Sequence, residues 1–174
     1  YSASCGGFGE HNDVVWGGPP DPSIRGRPDF PALPETAEFA DGITESLVAK
    51  WVATDVPSFC RTATLARPAK HRWVRTFTPA EVDRLLAVHK VGHVTALRVE
   101  GRGISGRAKS LVVGGTRGEA RLDGELTIRR AFNMLESGAF VVALEGQGVR
   151  KKWTFRGAGW GHGAGMCQTG AVGR

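Results

Sequence analysis

The stretch RWVRTFTPAEVDRLLAV, Arg72 to Val88, decides the fold class. Trp73, Val74, Thr76 and Phe77 favour extended backbone, and a strand is predicted over Arg72–Phe77. Thr78-Pro79-Ala80-Glu81 then supplies a hydroxyl N-cap, a proline at the first helical position and a glutamate that can reach back to the cap. This capping box opens a helix predicted to run to about Val88, with Val82, Leu85 and Leu86 inward.

Toward the C-terminus, Val94–Glu100 reads as a strand and Gly101–Gly106 as a turn. Lys109–Val113 and Glu119–Leu122 form a predicted hairpin. Asp123 is expected to cap a helix over Glu125–Asn133 that buries Leu126, Ile128 and Phe132. Phe140–Leu144 and Lys152–Phe155 are further strands. Toward the N-terminus, Thr44 caps a predicted helix reaching Thr54, with Leu47, Val48 and Trp51 on its apolar face. Gly17 to Pro34 carries six prolines and is expected to be loop or extended connection. Asp55–Lys70 is expected to be irregular. Tyr1–Gly18 reads as a short strand-like start, a Cys-Gly-Gly turn and a polar loop, with Trp16 and Trp51 assigned to the core. Strands and helices do not alternate as βαβ units. The expected class is α+β, a largely antiparallel sheet with two or three short helices and long Pro/Gly-rich loops.

The 174 residues suffice for one domain with a sizeable core. No run of eighteen apolar residues occurs, so no membrane span is expected. The net charge of +6 favours anionic partners. The densest basic cluster, Arg150-Lys151-Lys152 beside Trp153, reads as a solvated strand end. No recognition helix, aromatic RNA-binding pattern or finger spacing argues for nucleic acid. The sequence starts at Tyr1 without a signal-peptide pattern and is expected to be a processed or truncated piece.

Cys5, Cys60 and Cys167 cannot make a disulfide framework. Cys5 and Cys60 either pair in an oxidising compartment or remain buried thiols. His71, His89 and His93 have no metal-ligand spacing and read as structural or exposed. Cys5 with His11 offers only two zinc ligands. No cofactor is expected, with zinc kept as the alternative.

The last sixteen residues, GWGHGAGMCQTGAVGR, set His162 among the glycines at 159, 161, 163, 165 and 170, with Trp160 before it and Gln168 after it. Glycine allows positive φ and close backbone approach, so a tight loop is expected that gathers N–H groups, an imidazole and an indole. Such a loop suits a polar ligand. Ser4 and Glu10 join it if the Cys-Gly-Gly bend lies alongside, an approach that Gly6 and Gly7 would permit.

This tail resembles the GWGHGxGMxQxGA signature of the stage II sporulation protein D family (SpoIID/LytB domain). Ala164, Cys167 and Thr169 stand where Val, Ser and Tyr are usual. YSASCGGFGEHNDVVW is similar to the family's YHSxSGGxTExxxxVW segment at Tyr1, Gly6, Gly7, Glu10 and Trp16, and departs at Ser2, Cys5 and Gly9. His71-Arg72-Trp73, Ser105-Gly106-Arg107 and Gly124–Phe132 also look like the family's middle section, so the resemblance spans nearly the whole chain in order. The family's N-terminal segment with its EMP glutamate is not in this sequence, nor is the Cys/His zinc insert of some members. The expectation is a SpoIID/LytB-like domain over 1–174 whose catalytic acid lies upstream of Tyr1.

The resemblance implies a lytic transglycosylase that cleaves MurNAc–GlcNAc β-1,4 bonds of denuded peptidoglycan strands and leaves 1,6-anhydro-muramic ends. Substrate-binding residues would be Ser4, Gly6, Gly7, Glu10, Trp160, His162 and Gln168. The implied setting is extracytoplasmic: periplasm, cell wall or secreted, with membrane anchoring through a preceding segment left open. The alternative is a wall-binding or amidase-enhancing module without chemistry of its own, with a cell-wall amidase as partner.

Overall fold

The computed structural model describes residues 1–64 and 66–174. Among the described residues the six strands are β1 (Arg72–Phe77), β2 (Val94–Arg102), β3 (Ala108–Gly115), β4 (Gly118–Asp123), β5 (Phe140–Glu145) and β6 (Lys152–Ala158). They form two three-stranded antiparallel sheets, ordered β1-β6-β5 and β2-β3-β4. The helices are α1 (Asn12–Trp16), α2 (Glu45–Ala53), α3 (Phe59–Thr62), α4 (Pro68–His71), α5 (Pro79–Leu85), α6 (Glu125–Ala131) and α7 (Gln168–Gly173). The fold is α+β, with two small sheets where the sequence suggested one.

The capping box forms as read. Thr78 Oγ1 accepts from the Glu81 N–H at 3.2 Å, and Glu81 Oε2 accepts from the Thr78 N–H at 2.7 Å. The helix stops earlier than expected, because Leu86 leaves helical geometry and a 3-10 turn over Ala87–His89 ends at left-handed Lys90. Thr78→Ala is expected to cost about 1 kcal/mol, since it leaves an N-terminal N–H without its acceptor. Urea denaturation reads that loss directly.

Between the sheets, Trp73 and Phe77 of β1, Phe140 of β5 and Phe155 of β6 meet Leu111, Val113 and Leu122 of the β3–β4 hairpin. Val82 and Leu86 close one side, Ile128 and Phe132 another. Phe155 is the centre, with its ring 4.8 Å from Phe132 and 5.3 Å from Phe140. A second cluster holds Phe8, Phe30, Phe39, Ile43, Val48, Trp51 and Ala158, with α2 packed over β5 and β6. The β1-β6-β5 sheet thus serves two cores, and its second face positions the opening segment.

Several expectations are corrected. Trp16 is 58% exposed, at the end of the short helix α1 in a stretch expected to be loop. Asp123 does not cap α6. It ends β4, where its carboxylate accepts from Ser110 and Arg121, and Gly124 precedes the helix at φ 88°. Leu126 is 43% exposed, because α6 turns Glu125 and Ile128 inward. Glu125 is accommodated by accepting from the Gly138 N–H and pairing with Arg129. The stretch expected to be irregular, Asp55–Lys70, contains α3 and most of α4, while Leu65 within it lies outside the described residues.

Candidate functional site

Both ends of the chain are stitched into one wall. Ser4 and Trp160 exchange backbone hydrogen bonds at 3.2 and 2.8 Å. The Glu10 N–H donates to Gly163 O at 2.9 Å, and Ser2 donates to Met166 O and accepts from the Gln168 N–H, each at 3.0 Å. The Cys-Gly-Gly bend makes this possible. Gly6 sits at φ 75°, and a Cβ there would lie 2.5 Å from the Gly159 nitrogen. Only glycine combines that conformation with that approach.

Beneath the wall lies Arg107, 1% exposed. Its guanidinium donates to the carbonyls of Cys5 at 3.3 Å, Phe8 at 3.4 Å and Gly161 at 3.5 Å. It also donates to Ser105 Oγ at 2.8 Å, which in turn donates to Glu10 Oε2 at 2.6 Å. Glu10, also 1% exposed, accepts three further bonds from the backbone N–H groups of His11, Ile104 and Ser105. The two buried charges therefore compensate each other through one serine and hold four segments together.

Ser4, Gly6, Gly7 and Glu10 are all buried; they build the wall. Trp160, His162 and Gln168 reach its surface, Trp160 with 38% exposure. Trp16 belongs with them, its ring 5.1 Å from that of His162. The Lys70 ammonium lies 5.6 Å from the Trp160 ring centre. On the neighbouring side of the wall opens a concavity of about 600 Å³ lined in part by Tyr1, Glu10, Arg25, Arg27, Gly165 and Met166. Trp160, His162 and Gln168 are not among the residues that line it.

His162 Nδ1 accepts from the Ala164 N–H at 3.1 Å, which leaves the proton of the neutral ring on Nε2. Burial holds its pKa below the usual histidine value. The unfolded chain takes up this proton below about pH 6.5 while the folded chain resists it, so the folded state loses stability as pH falls through that range. A smaller melting-temperature drop between pH 7 and 5 is expected for His162→Gln than for the wild type. Equal drops would remove His162 as the cause.

A second constellation borders the same concavity, which Cys5, Asp29 and Cys167 also line. The side chains of Cys5, Asp29, Cys60 and Cys167 bring their ligand atoms within 4.8 Å of one another. Cys5 Sγ is 3.8 Å from Cys60 Sγ and 3.3 Å from Asp29 Oδ2, and all three cysteines are free. Cys167 caps α7 and accepts N–H bonds from Cys5 at 3.2 Å and Gly170 at 3.3 Å. Ser58 Oγ lies 3.5 Å from Cys60 Sγ and 2.9 Å from His71 Nε2, which fixes the buried His71. Glycines again permit the approach: a Cβ on Gly170 would strike Asp29, and one on Gly173 would strike the Phe59 carbonyl.

The protons on this cluster are unevenly shared. Hydrogen bonds from Cys167 and Cys5 hold Cys60 far below the usual thiol value. The Cys167 hydrogen bond, the Cys60 hydrogen bond and burial raise Cys5. Cys5 draws Cys167 down, but Cys60 and burial outweigh it and push Cys167 up to about 11. Burial and the neighbouring Cys60 charge raise Asp29. Three sulfurs and a carboxylate are the donor set of a soft divalent cation. The zinc pair weighed from the sequence, Cys5 with His11, does not form, because His11 accepts from the Gly26 N–H through Nδ1.

Sequence reasoning missed Asp29, Arg107, Trp16 and the Ser58–His71 pair. The Ser105-Gly106-Arg107 motif was a signal for Arg107. Asp29, in the proline-rich stretch, carried none.

An α+β domain with its two ends joined over a buried arginine is thus defined. Residues 10–165 match the family described as a domain of unknown function (DUF8618), and the chain belongs to that family. No protein of curated function matches it. Among the described residues, no helix is long and apolar enough to cross a membrane.

Proposed function

We propose that the wall built by the opening bend and the terminal loop binds a peptidoglycan glycan strand, as part of a lytic transglycosylase domain like the one the sequence resembles. The observation that carries this reading is the stitching of Ser4 to Trp160 and Glu10 to Gly163, which fixes the terminal loop that bears Trp160 and His162, with Trp16 against His162 and with Gly165 and Met166 of the same loop lining a concavity. Indole faces stack on sugar faces, and a neutral His162 with its proton on Nε2 donates to a glycan hydroxyl or ring oxygen. Arg27, exposed at the concavity, suits the lactyl carboxylate of a muramic residue stripped of its peptide.

In the reaction, the muramic 6-hydroxyl attacks its own anomeric carbon. The bond to the GlcNAc oxygen breaks as that oxygen takes a proton, and the 6-hydroxyl proton passes to the group that donated it. Glu10 is not that group, because four protein donors already engage its carboxylate. The same observation favours a second reading, a strand-binding module in which this chain holds glycan and performs no bond cleavage. Both readings set the protein outside the cytoplasm.

Digestion of denuded glycan by the full-length protein, read by mass spectrometry, separates them. The first reading expects 1,6-anhydro ends, with roughly tenfold or greater loss in His162→Ala. Strand binding without anhydro ends would leave the module. An unchanged yield in the variant would remove His162 from the site.

A further inference from the structure

We propose that Cys5, Cys60, Cys167 and Asp29 form a closed structural site for one zinc ion. This inference stands apart from glycan binding and holds whether or not the wall takes a sugar chain. A zinc tetrahedron with Zn–S near 2.3 Å has sulfur–sulfur edges of about 3.8 Å, and sulfur–oxygen edges of about 3.5 Å for Zn–O near 2.0 Å. The Cys5–Cys60 separation is 3.8 Å and the Cys5–Asp29 separation 3.3 Å. A disulfide would require the sulfurs to close to about 2.05 Å.

The surroundings match such a site. Backbone N–H groups of Cys5 and Gly170 point at Cys167 Sγ, and the Ser58 hydroxyl lies beside Cys60 Sγ, the outer contacts that orient thiolate ligands. Three thiolates and a carboxylate around a dication leave two negative charges. Arg174 pairs with Asp29 at 3.1 Å, and the half-buried Arg72 is near enough to Cys60 and Cys5 for their charges to act on it. Four protein donors fill the tetrahedron, which assigns the ion a structural role and leaves no open position for chemistry.

The placement explains the need. The opening bend, the proline-rich stretch, α3 and α7 meet here, and α7 packs on Asp29 and Phe59 through Gly170 and Gly173. A metal would tie these four segments together. It would also hold the terminal loop, through Cys167.

Metal content and cobalt spectroscopy on the reduced wild-type chain test the proposal without relying on variants. Mass-spectrometric metal analysis is expected to find one zinc per chain. Cobalt(II) added to the zinc-free chain is expected to give thiolate-to-cobalt charge-transfer absorption and the intense visible bands of a tetrahedral site. Chelation should lower the melting temperature by roughly 10 °C or more. Asp29→Asn is expected to weaken zinc binding by about tenfold or more, and Cys60→Ser to abolish stoichiometric binding. Uptake of less than about a tenth of an equivalent of zinc or cobalt by the reduced chain would overturn it. So would a native Cys5–Cys60 disulfide in the isolated protein. Because Cys5, Asp29 and Cys167 also line the concavity beside the wall, glycan binding is scored on the zinc-loaded chain, and its failure there would leave the metal result standing.

Discussion

Arg107→Met is expected to destabilise the domain by roughly 3–5 kcal/mol, the range for removing one partner of a buried charge pair. Methionine replaces the stem of the side chain but none of its donors. The carbonyls of Cys5, Phe8 and Gly161 each lose an N–H, and the Glu10–Ser105 unit loses its countercharge. The damage should concentrate at the seam, because the guanidinium lies directly beneath Gly163, where a Cβ would collide with it. Urea denaturation gives the total, and hydrogen exchange at residues 159–167 gives its location. A loss under about 1 kcal/mol would mean that the terminal loop holds its place without the arginine.

Gly6→Ala carries the next largest effect. The φ of 75° alone costs an alanine about 1–2 kcal/mol. Its methyl would then sit 2.5 Å from the Gly159 nitrogen and 2.8 Å from the Ala158 carbonyl carbon, both backbone atoms that cannot swing aside. Separation of the two strands by even a few tenths of an ångström strains the Ser4–Trp160 pairing, and the expected loss is about 3 kcal/mol or more. Gly18→Ala is the control, at φ 79° with nothing within 4 Å of the added methyl. It should show the conformational cost alone. Equal losses from the two variants, read by chemical denaturation, would mean that the close approach at Gly6 contributes nothing.

The sequence was most legible where local chemistry decides the structure. Thr78-Pro79-Ala80-Glu81 forms the capping box because every group it needs lies within four residues. The strand over Arg72–Phe77 appears with the boundaries read from its residues. Asp123 misled because a cap and a strand end both suit an aspartate, and the hairpin partner Ser110 competed for its carboxylate. Trp16 misled because large aromatics usually bury, whereas here the indole packs on His162 at the surface. Periodicity cannot distinguish those outcomes.

The meeting of the two chain ends was anticipated from their glycines, but not what lies under and beside the seam. Arg107 and Asp29 act through partners distant in sequence, and no spacing rule relates Asp29 to Cys5, Cys60 and Cys167. One trace was present. Two of the positions where this chain departs from the sporulation-protein pattern, Cys5 and Cys167, both replace serine, and both reach the same point in space. Paired departures of that kind carry more information than either cysteine alone.

The central claim is that the surface bearing Trp16, Trp160 and His162 accepts a sugar chain. Isothermal titration of denuded glycan strands into the wild-type chain and Trp160→Ala, with melting temperatures measured on both, tests it most directly. The wild type is expected to bind, and the variant to bind at least about tenfold more weakly at unchanged melting temperature. Equal affinity of the two proteins, or no heat from the folded wild type, would contradict it.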